Sequence, residues 1–191
     1  MFVKSLIKKS LLVTGSLLCL HAVWLPVKAW LSEQLISYSW HQTIDLKQKI
    51  KPWPWADTYP IAALLFERLN KSVVVLNGGD PTTLAFSAGA IAPFNQATST
   101  QPFVVAGHRD SHFSFLNEVV MYDLISLADK YGQSQLYQVE AIDIVDASTG
   151  ELPVLADSSQ LILITCYPFS NIVNNAGSDS NERYVITAKR L

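Results

Sequence analysis

Only two cysteines occur in 191 residues, too few for a disulfide scaffold or for a Cys-rich zinc or iron–sulfur site. Charge is also scarce. Charged residues make up 16% of the chain, with 14 basic against 16 acidic and a formal net charge of −2. That balance lacks the basic footprint of a nucleic-acid binder. The eight glycines follow no period, which excludes collagen-like and Gly-rich linker architectures. No internal repeat or low-complexity tract is visible. What the sequence has in plenty is apolar side chains, 49% of the total, and that excludes a disordered chain. The length suits one compact domain plus a short appendage.

Much of the apolar excess lies near the start. Lys4, Lys8 and Lys9 precede a run from Leu11 to Val27 without a charged residue, extended by Trp30 and Leu31 beyond Lys28. Roughly 20 apolar residues span a bilayer, so the stretch is just long enough. Basic residues on its N-terminal side predict an inside N-terminus with the remainder outside. Pro26, Trp24 and Trp30 suit the outer membrane–water interface. A cleaved signal peptide and a buried core helix compete with an uncleaved anchor. The first needs a small-x-small cleavage site that Pro-Val-Lys-Ala-Trp does not supply, and the second seldom carries a basic leader. Beyond residue 31 ten basic side chains face sixteen acidic ones, leaving −6 and no basic face for nucleic acid or anionic lipid. Cys19 falls within the anchor, so the remainder holds a single thiol, Cys166.

Ser32 to about Lys51 reads as a helix leaving the membrane, with Leu35, Ile36, Trp40 and Ile44 as a loose apolar stripe. Pro52 and Pro54 stop it. Pro60 to Leu69 is ambiguous between helix and strand. From Val73 onward the pattern predicts strands at Val73–Leu76, Leu84–Phe86, Phe103–Ala106, Asp123–Leu127, Leu136–Val145, Leu161–Thr165 and Tyr184–Ala188. One helix interrupts them, capped by Asp110 or Ser111 and carrying Phe113, Leu116 and Val120. Many short strands with frequent turns predict a closed barrel or a sandwich. The expected divisions are 1–31, leader and transmembrane anchor; 32–57, juxtamembrane helix and Pro/Trp linker; and 58–191, a β domain.

Leu161-Ile162-Leu163-Ile164-Thr165-Cys166 is a buried-strand pattern ending on a thiol. Arg183 opens the next strand, and antiparallel pairing of the two makes Cys166 and Arg183 neighbours across the polar loop 171–181. His108 follows another predicted strand directly. A Cys–His pair at strand ends suits nucleophilic acyl transfer, with Arg183 available for the oxyanion or the substrate backbone. The plainer readings are a buried structural cysteine, a solvated edge arginine, and Asp110 as an N-cap that also orients His108 or substrate. His108 and His112 have the i, i+4 spacing of zinc-binding helices. Arg109 nevertheless stands where a metalloprotease needs Glu, and no third ligand follows, so neither metal nor cofactor is expected.

At Gly107-His108-Arg109-Asp110, Thr165-Cys166-Tyr167-Pro168-Phe169 and Arg183-Tyr184-Val185 the chain resembles the sortases. With Pro52-Trp53-Pro54-Trp55-Ala56-Asp57 it resembles more narrowly the class GN sortases of Gram-negative bacteria. The resemblance runs from about Lys51 to Leu191. It implies an eight-stranded β-barrel with short helices and a cysteine transpeptidase held at the inner membrane, with its catalytic domain in the periplasm. The family's nucleophile falls on Cys166, its histidine on His108 and its arginine on Arg183, with Asp110 and Thr165 as supporting residues. The implied substrate is a secreted protein with a C-terminal LPxTG-like sorting signal, cut between Thr and Gly and passed through a thioester to an amine. Two other readings remain open: an extracytoplasmic cysteine hydrolase using the same pair, and an anchored β domain in which Cys166 is incidental.

Overall fold

The computed structural model describes residues 2–97, 101–149, 159–169 and 181–191, with backbone alone for 2–7 and 149. It opens with one continuous helix, α1 (Phe2–Leu46), which includes Pro26. The segments expected as anchor and juxtamembrane helix thus form one helix. Leu11, Leu18, Trp24 and Leu25 are well exposed along its first part. In the second part Ile36, Ser39, Trp40 and Thr43 are buried, the i, i+3/i+4, i+7 spacing of a helix laying one face on a core. Lys47, in the left-handed region at φ 53°, closes the helix. The Ser39 hydroxyl donates to the Ile50 carbonyl at 2.6 Å. The Pro/Trp segment then returns along the domain, and the Trp53 ring meets Phe86 edge-on at 4.9 Å.

The remaining elements are β1 (Pro60–Phe66), β2 (Lys71–Asn77), α2 (Pro81–Phe86), β3 (Ala88–Ala90), β4 (Phe103–Ala106), a 3-10 turn (Ser114–Glu118), β5 (Leu124–Asp129), β6 (Ser134–Asp146), β7 (Gln160–Cys166) and β8 (Glu182–Arg190). A second short 3-10 turn follows β6. The strands close into a barrel in the order β1-β2-β3-β4-β7-β8-β6-β5. Closure leaves no unpaired sheet edge. β2–β3 and β4–β7 are parallel pairs and the others antiparallel.

Alternation places Ala62, Leu64, Phe66, Val75, Phe103, Val105, Ile125, Leu127, Leu161, Leu163 and Ile186 in the interior, with Phe113 and Leu116 packed into the same core. β7 is buried along both faces. Its outward residues Ile162 and Ile164 join Val104 and Val185 in a second cluster, against which Ile91, Phe94 and Val145 pack.

Two sequence expectations change. Leu84–Phe86 belongs to a helix: the Asp80 carboxylate accepts the N–H groups of Thr82 and Thr83, with Pro81 in the first turn. The helix expected after Asp110 shrinks to the 3-10 turn, whose cap position is Phe113 and has no side-chain bond. Asp110 therefore does not cap that turn. Its carboxylate meets the Arg109 guanidinium at 3.2 Å instead. Val120, expected on the apolar face of that helix, is half exposed. The segment 60–69 resolves as a strand followed by a turn, and most of the polar loop 171–181 lies outside the described residues.

Candidate active site

Three neighbouring strands deliver their ends to one rim of the barrel. β4 and β7 run parallel with Ala106 opposite Ile164, and the Gly107 N–H donates to the Ile164 carbonyl at 3.1 Å. Two residues further on, one strand has reached His108 and the other Cys166. On the far side of β7, Cys166 stands directly opposite Arg183 of β8. The order across the rim is histidine, cysteine, arginine.

Alternation fixes the faces. Thr165, 2% exposed, turns inward, and its hydroxyl donates to the Gly107 carbonyl at 2.7 Å. Cys166 shares the outward face with Ile164, Arg183 shares it with Val185, and both residues are partly exposed. The thiol thus stands at the end of a wholly buried strand, above the apolar cluster of Val104, Ile162, Ile164 and Val185. Because the barrel is closed, Arg183 is no edge residue: Val145 of β6 flanks it on one side and Cys166 on the other.

His108 is exposed on a tight turn. Its carbonyl accepts the N–H groups of Phe113 at 3.0 Å and Ser111 at 3.4 Å. A Cβ on Gly107 would lie 2.7 Å from the Phe113 ring, so only glycine lets the chain pass beneath that buried ring into the histidine. His112 does not join His108. It lines a cavity of about 200 Å³ with Glu33, Ile36 and Phe115, where burial first, and His108 less, lower its pKa while Glu33 opposes them.

Arg109 is a positioning contact that sequence reasoning passed over. Its Nη1 donates to the Pro168 carbonyl at 2.6 Å, tying the histidine turn to the segment after the cysteine. A charged neighbour of His108 is the only signal, and it names no partner. The same segment is fastened to β8 by aromatic contacts. Tyr167 stacks on Tyr184 at 6.4 Å and Phe169 meets Tyr184 edge-on at 5.0 Å. Burial, with a smaller effect of Tyr167, raises the Tyr184 hydroxyl pKa.

A thiol with an imidazole and a guanidinium on the adjoining strand ends of one rim has the parts for covalent acyl transfer: a nucleophile, a proton carrier and a cation for a developing oxyanion.

Known proteins resemble this chain. The family model for the sortase domain matches residues 64–191. Sortase D of Bacillus subtilis (strain 168) is 29% identical over 125 residues, which is 65% of this chain and 60% of that protein. The chain thus spans less than two thirds of that relative's length. Among solved structures, sortase C-1 from Actinomyces oris superposes with a TM-score of 0.57 at 23% identity, covering 69% of this chain and 74% of the other. Sortase A from Corynebacterium diphtheriae gives 0.58 at 19% identity over 87% and 85%. These two share the fold.

Proposed function

The chain belongs to the sortase family, and from that premise we propose that it is a membrane-anchored cysteine transpeptidase of the Gram-negative class. The observation that carries the reading is the strand register that sets Cys166 beside Arg183 and level with His108. In the proposed reaction the Cys166 thiolate attacks the Thr carbonyl of an LPxTG-like sorting signal. Arg183 faces the oxyanion of the tetrahedral intermediate or holds the substrate backbone. The Thr–Gly bond breaks as imidazolium His108 gives its proton to the departing glycine amine, leaving a thioester on Cys166 and a neutral imidazole. An incoming amine then loses a proton to His108 and takes the acyl group, which frees the Cys166 thiolate beside imidazolium His108. Thr165 and Arg109 position the two strand ends, and Asp110 acts through Arg109.

The partly exposed Ile91, Phe94 and Val145, packed against buried Val104, Ile162, Ile164 and Val185, support a peptide substrate, whose Leu-Pro side chains need an apolar surface. The exposed apolar stretch of α1 supports anchoring in the inner membrane with the N-terminus inside and the barrel in the periplasm. The Pro52–Asp57 segment supports the Gram-negative class. Incubating the detergent-solubilised full chain with an LPxTG-type peptide, with and without a small amine, tests the reading by mass spectrometry. A thioester on Cys166 and an amine-linked product are expected. Product carrying only water would make the enzyme a hydrolase, and no adduct at all would reject the assignment.

A further inference from the structure

The direction of α1 against the barrel fixes which end of the barrel approaches the membrane. β1, β4, β6 and β7 run toward the rim that carries Cys166, and β2, β3, β5 and β8 leave it. Glu33, Ile36 and Ser37 share one cavity with Ser72 and Val73, at the start of β2, and with His112 of the histidine turn. Further along α1, Ile44 abuts Gly132 in the β5–β6 turn at the opposite end of the barrel, where a Cβ would lie 3.4 Å from the isoleucine. The helix therefore enters at the catalytic rim and descends away from it. Leu31, where its continuous exposed apolar stretch ends, precedes buried Ile36 by five residues, about 8 Å of helix. An anchor in the bilayer thus brings the catalytic rim close to the lipid headgroups.

A second apolar feature stands on that same rim. Val120, Met121 and Tyr122 lead into β5 and are 51%, 41% and 70% exposed. They do not belong to a loose tail. The Asp123 carboxylate accepts the Val120 N–H at 3.0 Å and pairs with Arg68 at 2.6 Å. Arg68 also donates to the Glu118 carbonyl, so the β1–β2 turn clamps the loop from the side. The Tyr122 N–H is held by the Val139 carbonyl at 2.9 Å, with the residue at φ 71°. A bulky residue in the left-handed region costs free energy, and here that conformation accompanies three adjacent apolar side chains exposed on a fixed turn.

Resting on the proposed anchoring of α1, we infer that Val120, Met121 and Tyr122 form a second membrane contact that dips into the lipid interface beside the catalytic rim. Aliphatic side chains with a tyrosine suit the boundary between headgroups and acyl chains. The rim around them carries Glu67, Glu118 and Asp123 against Arg68 and Lys71, with no positive excess, so the attraction is apolar and independent of anionic lipid. Helix and loop then fix the barrel at two points, with the catalytic rim held beside the bilayer.

Depth quenching in proteoliposomes tests this. In the full chain carrying Cys19→Ser and Cys166→Ala, a single environment-sensitive fluorophore is attached through Met121→Cys. Parallel samples use Val120→Cys, Trp24→Cys in the anchor and Lys130→Cys at the far end of the barrel. Nitroxide-labelled phosphatidylcholine should quench the labels at 120, 121 and 24 at least twofold and leave the one at 130 unchanged, in neutral and anionic vesicles alike. If 24 is quenched while 120 and 121 behave like 130, the loop contact is wrong and the anchor stands. If 24 escapes quenching, the anchor fails and the loop proposal falls with it.

Discussion

The Thr165 hydroxyl and the Gly107 carbonyl are joined across β7 and β4 by a buried 2.7 Å hydrogen bond, one residue from the thiol on one side and one residue from the imidazole on the other. Removing it leaves a buried carbonyl with one partner fewer. Thr165→Val should cost about 1–3 kcal/mol in urea denaturation. It should also lower turnover about tenfold through the spacing of Cys166 and His108, whereas Thr165→Ser restores both. Unchanged stability and rate in the valine variant would remove Thr165 from the positioning scheme.

Cys166→Ala should abolish thioester formation and cleavage while leaving the fold intact, because the change is small and sits at a partly exposed strand end. His108→Ala should lower turnover by roughly 10²–10⁴. His112→Ala should do far less, since that ring lines the α1 cavity rather than the rim. Peptide cleavage assays with thermal melts check both; equal losses at the two histidines would contradict the assignment.

Arg183→Lys separates charge from geometry. Lysine keeps the charge but offers one ammonium on a flexible stem in place of a planar fork. The variant should melt like the parent yet lose roughly 10²-fold in single-turnover acylation of Cys166, the scale of one oxyanion donor. Parental acylation rates would return Arg183 to a structural role.

Acid should destabilise the barrel in two windows. Hydrogen bonds from Thr83 to Asp80 and from Arg68 to Asp123 hold both carboxyls below their ordinary value of 3.8. Their contribution is complete above that value and is lost as pH falls from it through the lower native values. His112 acts earlier. Its burial disfavours the charged ring, so stability declines as pH falls from 6.5 toward its lower native value. Urea titrations should therefore show His112→Gln flattening the step below 6.5 and Asp123→Asn reducing the one below 3.8. A step below 6.5 that survives His112→Gln would assign it elsewhere.

The cysteine–arginine half of the site was legible because it needs only one antiparallel pairing, and Leu161–Thr165 and Tyr184–Ala188 are apolar runs that announce themselves. His108 pairs with Cys166 in the sequence by chemistry and by its place at a strand end, but the strand pairing that brings the two together is not written there. Parallel pairing of β4 with β7 leaves no mark in hydrophobic periodicity, which carries no direction. Leu84–Phe86 was misread because three apolar residues outweighed the Asp80-Pro81 helix start that precedes them. Asp110 was misread because the His108 carbonyl, not a side chain, takes the N–H groups at the head of that turn. Arg109 escaped notice because its partner is a backbone carbonyl 59 residues away, and no side-chain pattern encodes it.

The parallel β4–β7 pair also sets an order in time. His108 and Cys166 lie 58 positions apart, with β5 and β6 threaded between their strands. Hairpins such as β1–β2 and β5–β6 close over short distances and form early, whereas a parallel pair must wait for its crossover. A half-collapsed chain has not yet brought Cys166 level with His108, so the geometry of this rim is among the last features that folding completes.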